Sequence, residues 1–248
     1  MSERIIFVLV SLVSLMALVS VIDAQADGQI NKTICLDEGA AQISATGSQL
    51  YSAFTKSPMV DLIVILDISG SISTTSLERM KTFVGDLVTF IQLQYHCYLD
   101  PKYVRFEMIV FNTVANLTAS NINSCQLESI LDAIKKPQAQ EKTFVHVAMD
   151  LALNLFHKAI AARPTSSQIL FVVTDGEFDD LPGDVSLSSY RLRLWKVTVF
   201  SCGVGEWLDT TQKENNLKSL TTNSSTNYLC YSQWRMVLSP QRETSAGG

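Results

Sequence analysis

Asp67-Ile68-Ser69-Gly70-Ser71 directly follows the apolar run Met59-Val60-Asp61-Leu62-Ile63-Val64-Ile65-Leu66. The run is short, branched and nearly free of polar residues, which predicts a strand buried on both faces, as in parallel sheets. Open parallel sheets bind ligands beyond the carboxyl ends of their strands. At that end the pentapeptide offers a carboxylate and two hydroxyls at alternate positions, an oxygen set suited to Mg2+, Mn2+ or Ca2+. Because Asp and Ser also cap helices, a plain strand-to-helix turn is the alternative for the pentapeptide alone.

The N-terminus has the pattern of a secretory signal peptide. Arg4 precedes an apolar stretch from Ile5 to Ile22, and Ala24-Gln25-Ala26 supplies the small residues of a cleavage site. We therefore expect residues 1–26 to be a signal peptide and the mature chain to be secreted. An uncleaved membrane anchor is the alternative, because the stretch is close to spanning length. No later segment predicts a transmembrane helix, so the mature chain is expected to be soluble and extracellular.

Charge and glycosylation motifs agree with that route. The 248-residue chain has a formal net charge of −5, and removal of residues 1–26 leaves −4. This mild acidity argues against a nucleic-acid partner, which would call for a basic surface. Asn31, Asn116 and Asn223 each begin an Asn-X-Ser/Thr triplet, which predicts N-glycosylation of a secreted protein.

Apolar periodicity divides most of the chain into alternating strands and helices. The predicted strands are 59–66, 104–111, 113–118, 169–173, 197–202 and 228–231. The first predicted helix begins at a capping box, Thr75-Ser76-Leu77-Glu78. The later predicted helices cover 127–134, 145–159, a short piece near 190–195, and 209–221. This order predicts an α/β fold. We expect a doubly wound, mostly parallel sheet with helices on both faces and 113–118 as an antiparallel edge strand.

The flanks of this pattern are polar. We expect residues 27–58 to form an N-terminal extension or linker, residues 59–238 to form the α/β domain, and residues 239–248 to be a disordered tail.

Five cysteines in a secreted chain predict disulfide bonds with one thiol left over. Cys97 and Cys125 are expected to be bonded, because both lie in connections at the lower end of the predicted sheet. Cys202 lies within a buried strand, where a thiol acts as a small apolar filler. Cys35 and Cys230 have no assignment, and an odd thiol would allow a disulfide-linked oligomer.

Two more motifs complete a pattern around Asp67. Asp175 follows a second buried strand and so lies at the same sheet edge, and Thr143 lies just before a helix. In chain order the motifs are Asp67-x-Ser69-x-Ser71, Thr143, Thr174-Asp175-Gly176 and Gly203-Val204-Gly205. Over about residues 59–235 the chain thereby resembles the von Willebrand factor A domain family, which includes integrin inserted domains and matrilins.

The resemblance implies a metal-ion-dependent adhesion site. Its oxygen donors would be Asp67, Ser69, Ser71, Thr143 and Asp175. Two carboxylates roughly neutralise a divalent ion, whereas hydroxyls are weak neutral ligands, so the metal keeps room for an outside oxygen. We expect Mg2+, with Mn2+ or Ca2+ as alternatives. The expected partner is an extracellular protein, a matrix protein or cell-surface receptor, that offers an Asp or Glu carboxylate.

The chain departs from the family pattern at three places. Lys142 stands where a glycine commonly precedes the threonine, and Val145 stands where many members have a second threonine. The usual long final helix is short or missing, since residues 233–238 are followed by Ser239-Pro240. Conformational regulation through that helix is therefore in question.

The acidic residues after Asp175 allow two interpretations. Glu177, Asp179 and Asp180 would form an acidic rim that selects a basic patch on the partner, or they are simply a solvated loop.

These motifs suggest one leading function and two alternatives. A secreted adhesion or matrix-binding module is the leading hypothesis, and a structural domain with a silent metal site is the first alternative. A metal-dependent hydrolase would need a general base beside metal-bound water. The sequence offers no His-Glu-x-x-His motif, nucleophile elbow or Cys/His pair, so an enzyme is not expected.

Overall fold

A computed structural model describes residues 48–53, 56–95, 102–135, 142–204, 211–222 and 227–230. Within these residues the strands are β1 (Val60–Asp67), β2 (Val104–Phe111), β3 (Ala115–Ala119), β4 (Ser167–Thr174), β5 (Thr198–Gly203) and β6 (Tyr228–Cys230). The longer helices are α1 (Thr74–Tyr95), α2 (Ser124–Ala133), α3 (Val145–Ala162), α4 (Pro182–Leu194) and α5 (Thr211–Leu220).

The six strands form one sheet in the order β3-β2-β1-β4-β5-β6. Strand β3 pairs antiparallel with β2, and the other pairings are parallel. The chain builds outward from β1 in one direction and from β4 in the other, so the strand order reverses between these two strands. In doubly wound sheets the ligand crevice lies beyond the carboxyl ends of the strands at this reversal. The predicted fold class is confirmed.

Both faces of the sheet are covered, which explains the unbroken apolar run of β1. All eight residues of β1 are buried. Leu62, Val64 and Leu66 pack into one core cluster that includes α1 and α2. Ile63 and Ile65 point the other way, into a second cluster with α3, α4 and α5. Alternating side chains of one strand therefore anchor both layers of helices.

The start of α1 differs from the predicted capping box. The backbone N–H of Ser76 donates to Ser73 Oγ at 3.0 Å, so the cap lies two residues before Thr75. Glu78 binds Lys81 Nζ at 2.9 Å and does not reach back to the helix start. The chain enters the helix almost directly from the Ser69–Ser71 turn, which places the first free N–H groups within reach of Ser73.

Helix α4 begins at Pro182, whereas the sequence predicted only a short helical piece near 190–195. Two of the side chains on its buried face are Ser188 and Ser189. Only Val185 and Leu192 of the inward face are apolar, so the apolar stripe by which a surface helix is recognised in a sequence is interrupted.

Several predicted features lie outside the described residues. They are the signal segment 1–26, Asn31, Cys35, Cys97, Asn223 and the final segment 233–238. The side chain of Cys230 also lies outside the description. These features stay predictions.

Other predicted positions are described. Asn116 is exposed on β3, which is an edge strand as expected, and its glycosylation stays a prediction. Cys125 has an exposed, free thiol and Cys202 a buried one. The Cys97–Cys125 bond is therefore not supported by the structure and stays a prediction. Among the described helices, none combines the length and apolar character needed to cross a bilayer.

A buried carboxylate ties the amino ends of the sheet together, opposite the crevice. Asp61 in β1 accepts hydrogen bonds from Arg163 Nη1 at 3.1 Å, from Gln168 Nε2 at 3.1 Å and from Ser166 Oγ. Arg163 also donates to the carbonyl of Tyr103 at 3.0 Å. Charged groups buried in this way must stay paired, because removal of one partner leaves the other desolvated and unbalanced.

We expect Asp61→Asn to lower the free energy of unfolding by about 3 kcal/mol, because the Arg163 guanidinium loses its buried counter-charge. Urea unfolding measures the change. Glu78→Gln is the matched control: it breaks the Glu78–Lys81 pair, whose carboxylate is 63% exposed, and should change stability by no more than about 0.5 kcal/mol. Equal losses in the two variants would contradict the buried-pair explanation.

Candidate metal centre

The two aspartates of the predicted site meet at the strand-order reversal. Asp67 is the last residue of β1, and Asp175 follows directly after β4. Leu66 and Val173 are paired in the parallel register of these strands, so the carboxylates leave the sheet side by side. Each strand delivers one carboxylate to the same crevice, as the sequence predicted.

The Asp67 carboxylate is buried and held on both oxygens. The Ser69 backbone N–H donates to Oδ1 at 2.8 Å, and the Thr174 hydroxyl donates to Oδ2 at 2.6 Å. The hydroxyls of Ser69 and Ser71 lie 3.1 Å apart, and the Ser71 hydroxyl is hydrogen-bonded to Asp175. Four of the five predicted donors therefore form one connected cluster. Thr174, which the sequence analysis named in the Thr174-Asp175-Gly176 motif but not as a site residue, orients the central carboxylate.

The Asp175 loop depends on a glycine. Gly176 has φ +81°, and a Cβ at this position would come within 3.0 Å of the Lys213 carbonyl oxygen on α5. The Asn216 side chain donates to the Gly176 carbonyl at 2.9 Å, and the Glu177 N–H donates to Asp175 Oδ1 at 3.0 Å. The backbone needs a glycine here both for its conformation and for the close approach of α5.

Thr143, the fifth predicted donor, is held on two sides by its backbone. Its N–H donates to Asp179 Oδ2 at 2.9 Å, and its carbonyl accepts from the Asp179 N–H at 2.9 Å. The neighbouring Phe144 N–H donates to the Asn112 carbonyl at 3.0 Å. These bonds join the Thr143 segment to the loop after β4 and to the turn after β2, and Thr143 itself is buried.

Asp180 caps α3 from a distant part of the sequence. Its two carboxylate oxygens accept from the N–H groups of Val145 and His146, each at 2.9 Å, and Oδ1 also contacts His146 Nδ1. The residue at the N-cap position, Phe144, makes no side-chain cap of its own. A carboxylate at a helix N-terminus satisfies free N–H groups and complements the helix dipole.

The expected acidic rim therefore differs from the structure at Asp180. Its side chain is 0% exposed, so its charge serves α3 and not a partner. Asp179 is exposed as a residue, but one of its oxygens holds Thr143. Glu177 is half-exposed and pairs with Lys213 Nζ at 2.5 Å. The sequence could not identify these roles, because each involves a residue at least 34 positions away.

Two of the three departures from the family pattern lie among the described residues and have local explanations. Val145 is the first residue of α3; its side chain is buried in the core, and its N–H donates to Asp180 Oδ2. Lys142 is exposed, with Nζ 5.8 Å from the centre of the Phe144 ring. With both residues in place, the Thr143 backbone stays hydrogen-bonded to Asp179 in the loop after Asp175.

Burial raises the pKa of both carboxyls. Asp67 has a pKa raised from 3.8 to about 7, first because it is desolvated and second because Asp175 lies nearby, although hydrogen bonds from Ser69 and Thr174 oppose the shift. Desolvation also raises the pKa of Asp175, against hydrogen bonds from Glu177 and Ser71. A divalent cation would reverse both effects, since it balances the charges that burial disfavours.

The donor set fits a hard cation. Two carboxylates and three hydroxyls offer oxygen only, which suits Mg2+, Mn2+ or Ca2+ better than soft thiophilic ions. In the described part of the chain no group of three or more His, Cys, Asp or Glu side chains is placed to hold a metal. This is consistent with the set, because most of its members are hydroxyls.

The fold and the cluster together define a doubly wound α/β domain with a candidate cation site at its strand-order reversal. The family model of the von Willebrand factor type A domain matches residues 61–238. The chain belongs to this family.

Similarity extends to matrix proteins. The chain is 26% identical over 178 residues to the human collagen alpha-6(VI) chain, covering 71% of this chain and 7% of that protein. It is 24% identical over 162 residues to mouse matrilin-2, covering 63% of this chain and 16% of that protein. The match thus spans a small part of each relative's length.

A solved structure shares the fold. Proximal thread matrix protein 1 from the mussel byssus, solved with a zinc-occupied MIDAS motif, superposes with a TM-score of 0.58 at 18% identity. The superposition covers 73% of this chain and 46% of that one.

In chelator, we expect stability to fall as the pH rises from about 4 through 7. The folded, metal-free protein keeps a proton on Asp67 that the unfolded chain releases above pH 3.8. The free energy of unfolding therefore falls as the pH rises across this range. Thermal melts from pH 5 to 8 should show a falling Tm that Asp67→Asn flattens and that Mg2+ offsets. If the Tm values of wild type and Asp67→Asn fall equally with pH in chelator, the Asp67 carboxyl does not cause the pH dependence.

We expect Asp180→Ala to weaken Mg2+ binding roughly tenfold, because an uncapped α3 no longer fixes Thr143, and to cost about 1–2 kcal/mol of stability. Calorimetric titration with Mg2+ and thermal melts measure the two effects. Asp184→Asn, at the start of α4, is the control and should leave Mg2+ affinity unchanged. Unchanged affinity in Asp180→Ala would show that the cap serves only the helix.

Proposed function

We propose that this chain is an extracellular adhesion or matrix-binding module that recognises a protein ligand through a divalent cation. Asp67, Ser69, Ser71, Thr143 and Asp175 would hold the ion. The observation that carries the proposal is the pair of buried, side-by-side carboxylates Asp67 and Asp175, whose pKa values are both raised. Within a buried crevice such a pair is best explained by a cation that binds between them.

The surroundings of the pair support recognition. Thr174 and the Ser69 N–H orient Asp67, and Asp179 orients the segment that carries Thr143. When bound, the cation would supply a Lewis-acidic centre with a position open to an outside oxygen. Because hydroxyls contribute no charge, a carboxylate from the partner is the complementary ligand. We propose Mg2+ as the physiological ion, and the zinc in the mussel protein supports a divalent cation in general.

The described histidines favour binding over hydrolysis. His146 contacts Asp180, and the ring of His157 lies 4.1 Å from that of Trp195, centre to centre. Hydrolysis at a metal needs a positioned general base for the attacking water. His146 is engaged by Asp180, a residue that caps α3. The His157 ring lies against Trp195, and its buried Nε2 has no hydrogen-bond partner among the described residues.

The matrix relatives support an extracellular location and a protein ligand. Collagen alpha-6(VI) and matrilin-2 contain segments similar to most of this chain. We therefore propose secretion after removal of residues 1–26, and a domain over residues 59–238. Leu50 and Ala53, from the segment expected to be an extension, also pack into its core.

The decisive experiment measures binding of the secreted chain to immobilised collagens and other purified matrix proteins, in Mg2+ and in chelator. Chelator and Asp67→Ala should each abolish binding, because both remove the cation. Thr143→Ala should weaken partner binding at least tenfold with a smaller effect on Mg2+ affinity, and Thr143→Ser should restore it.

Asp184→Asn is the matched control, and thermal melts establish that each variant is folded. Full binding by folded protein in chelator would overturn the metal-bridge proposal. Mg2+ binding without metal-dependent attachment to any of the matrix proteins would favour a domain whose metal site is silent.

A further inference from the structure

Helix α4 exposes more of its large apolar side chains than it buries. Its buried face consists of Val185, Ser188, Ser189 and Leu192. On the opposite side, Leu187, Tyr190 and Leu194 follow helical spacing and are 46%, 53% and 61% exposed. A surface helix of a globular domain normally turns its apolar stripe to the core and its polar residues to water. We call the three outward residues the α4 stripe.

The orientation of α4 is fixed by contacts on its polar side. Ser188 Oγ donates to Asp150 Oδ1 on α3 at 2.8 Å, and Ser189 Oγ donates to the Ser219 carbonyl on α5 at 3.2 Å. Leu192 is fully buried between them in the core cluster. A rotation that buried the stripe would break both hydrogen bonds and expose Leu192. The apolar residues therefore face outward because the helix is held that way.

The stripe is part of a concentrated patch. Nine large hydrophobic side chains are exposed among the described residues, and five of them lie between Leu181 and Trp195. Single exposed apolar residues are ordinary, whereas a contiguous group marks an interaction surface. Trp195 extends the stripe beyond the last turn, where its ring packs on His157.

The dimensions of the patch fit one helix. Leu187 and Leu194 are seven residues apart, which is about 10 Å along the axis. The exposed residues of the neighbouring helices include the polar Asn154 and Lys158 on α3 and Asn215 on α5. An apolar ridge one helix wide accepts the ridges of a second helix. A membrane interface would instead require a broad apolar face that enters to about 5–10 Å.

The charged residues near the α4 stripe indicate what kind of partner helix it favours. Arg191, Arg193 and Lys196 lie along the last turns of α4 and just after it, although the whole chain has a net charge of −5. Arg191 is 3.7 Å from Asp150, with both side chains well exposed, so this pair neutralises it only weakly. A second copy of this surface would bring the same cations together across a twofold axis. An acidic partner would be attracted.

We propose that the α4 stripe docks an amphipathic, acidic helix of a partner protein. The partner helix has apolar residues at i, i+3 or i+4 and i+7 on one face, with Asp or Glu beside them. This recognition mode places an apolar helix face against a complementary apolar surface. It uses no donor of the candidate metal centre and so is independent of the proposed function.

Selection from a random peptide library on the folded chain tests the proposal. The selection runs in chelator, so that the metal centre contributes nothing, and removes peptides that also bind the double variant Leu187→Gln/Leu194→Gln. Gln keeps helix propensity close to that of Leu, and both positions are exposed, so the variant should fold. The enriched peptides should be acidic, with apolar residues at helical spacing. They should become helical on binding, as circular dichroism measures.

A selected peptide should bind the double variant at least tenfold more weakly than wild type. Leu117→Gln, at an exposed leucine on β3, is the matched control and should bind as wild type. Arg191→Gln/Arg193→Gln should weaken binding and reduce its salt dependence.

Failure to enrich acidic helical peptides would overturn the proposal, and so would equal binding by the Leu187→Gln/Leu194→Gln variant. Two further results would assign the stripe to a different occupant and overturn it as well. One is flotation with phosphatidylserine vesicles that depends on Leu187 and Leu194. The other is sedimentation of wild type, but not of the double variant, as a dimer.

Discussion

The structure depends on a charge problem at the carboxyl ends of β1 and β4. Parallel pairing of these strands brings Asp67 and Asp175 together, and the burial that stabilises the sheet removes water from both carboxylates. Hydrogen bonds from Ser69 and Thr174 reduce the cost to Asp67 but leave its pKa raised to about 7. A crevice that concentrates uncompensated negative charge in this way has a large electrostatic preference for a cation. The same crevice is therefore electrostatically unfavourable without a cation and is the best candidate for binding one.

Two loops convert this preference into a defined geometry. Asp179 pairs with the backbone of Thr143, and Asp180 caps the helix that begins at Val145. Gly176 allows α5 to pack against the Asp175 loop. Loops that carry binding groups are mobile unless other contacts fix them. Here Asp179 and Asp180, whose positions after Asp175 suggest contact with a ligand, instead hold the segment that carries Thr143 and the helix after it.

Predictions that depend on local sequence patterns were correct more often than those that depend on contacts between distant residues. β1, β2 and β4 were recognisable because strands buried on both faces are continuously apolar, and β3 because it is short and polar enough for an edge. Helix α4 was largely missed, since Ser188 and Ser189 interrupt its inward face and Leu187, Tyr190 and Leu194 point outward. The predicted cap of α1 was wrong by two residues, because the neighbouring Ser73 and Thr75 are both suitable capping residues. The rim was wrong at Asp180, whose partners are distant in sequence.

By itself the sequence determined the doubly wound sheet and the position of the five predicted donors at its carboxyl edge. Both follow from local patterns, since burial dictates apolar periodicity and strand ends are marked by the residues that follow them. Only the tertiary structure decided which carboxylates face the crevice and which serve the scaffold. It also decided that α4 turns its apolar side to solvent. Hydrogen bonds between segments tens of residues apart fix these orientations, and no local pattern encodes such pairings.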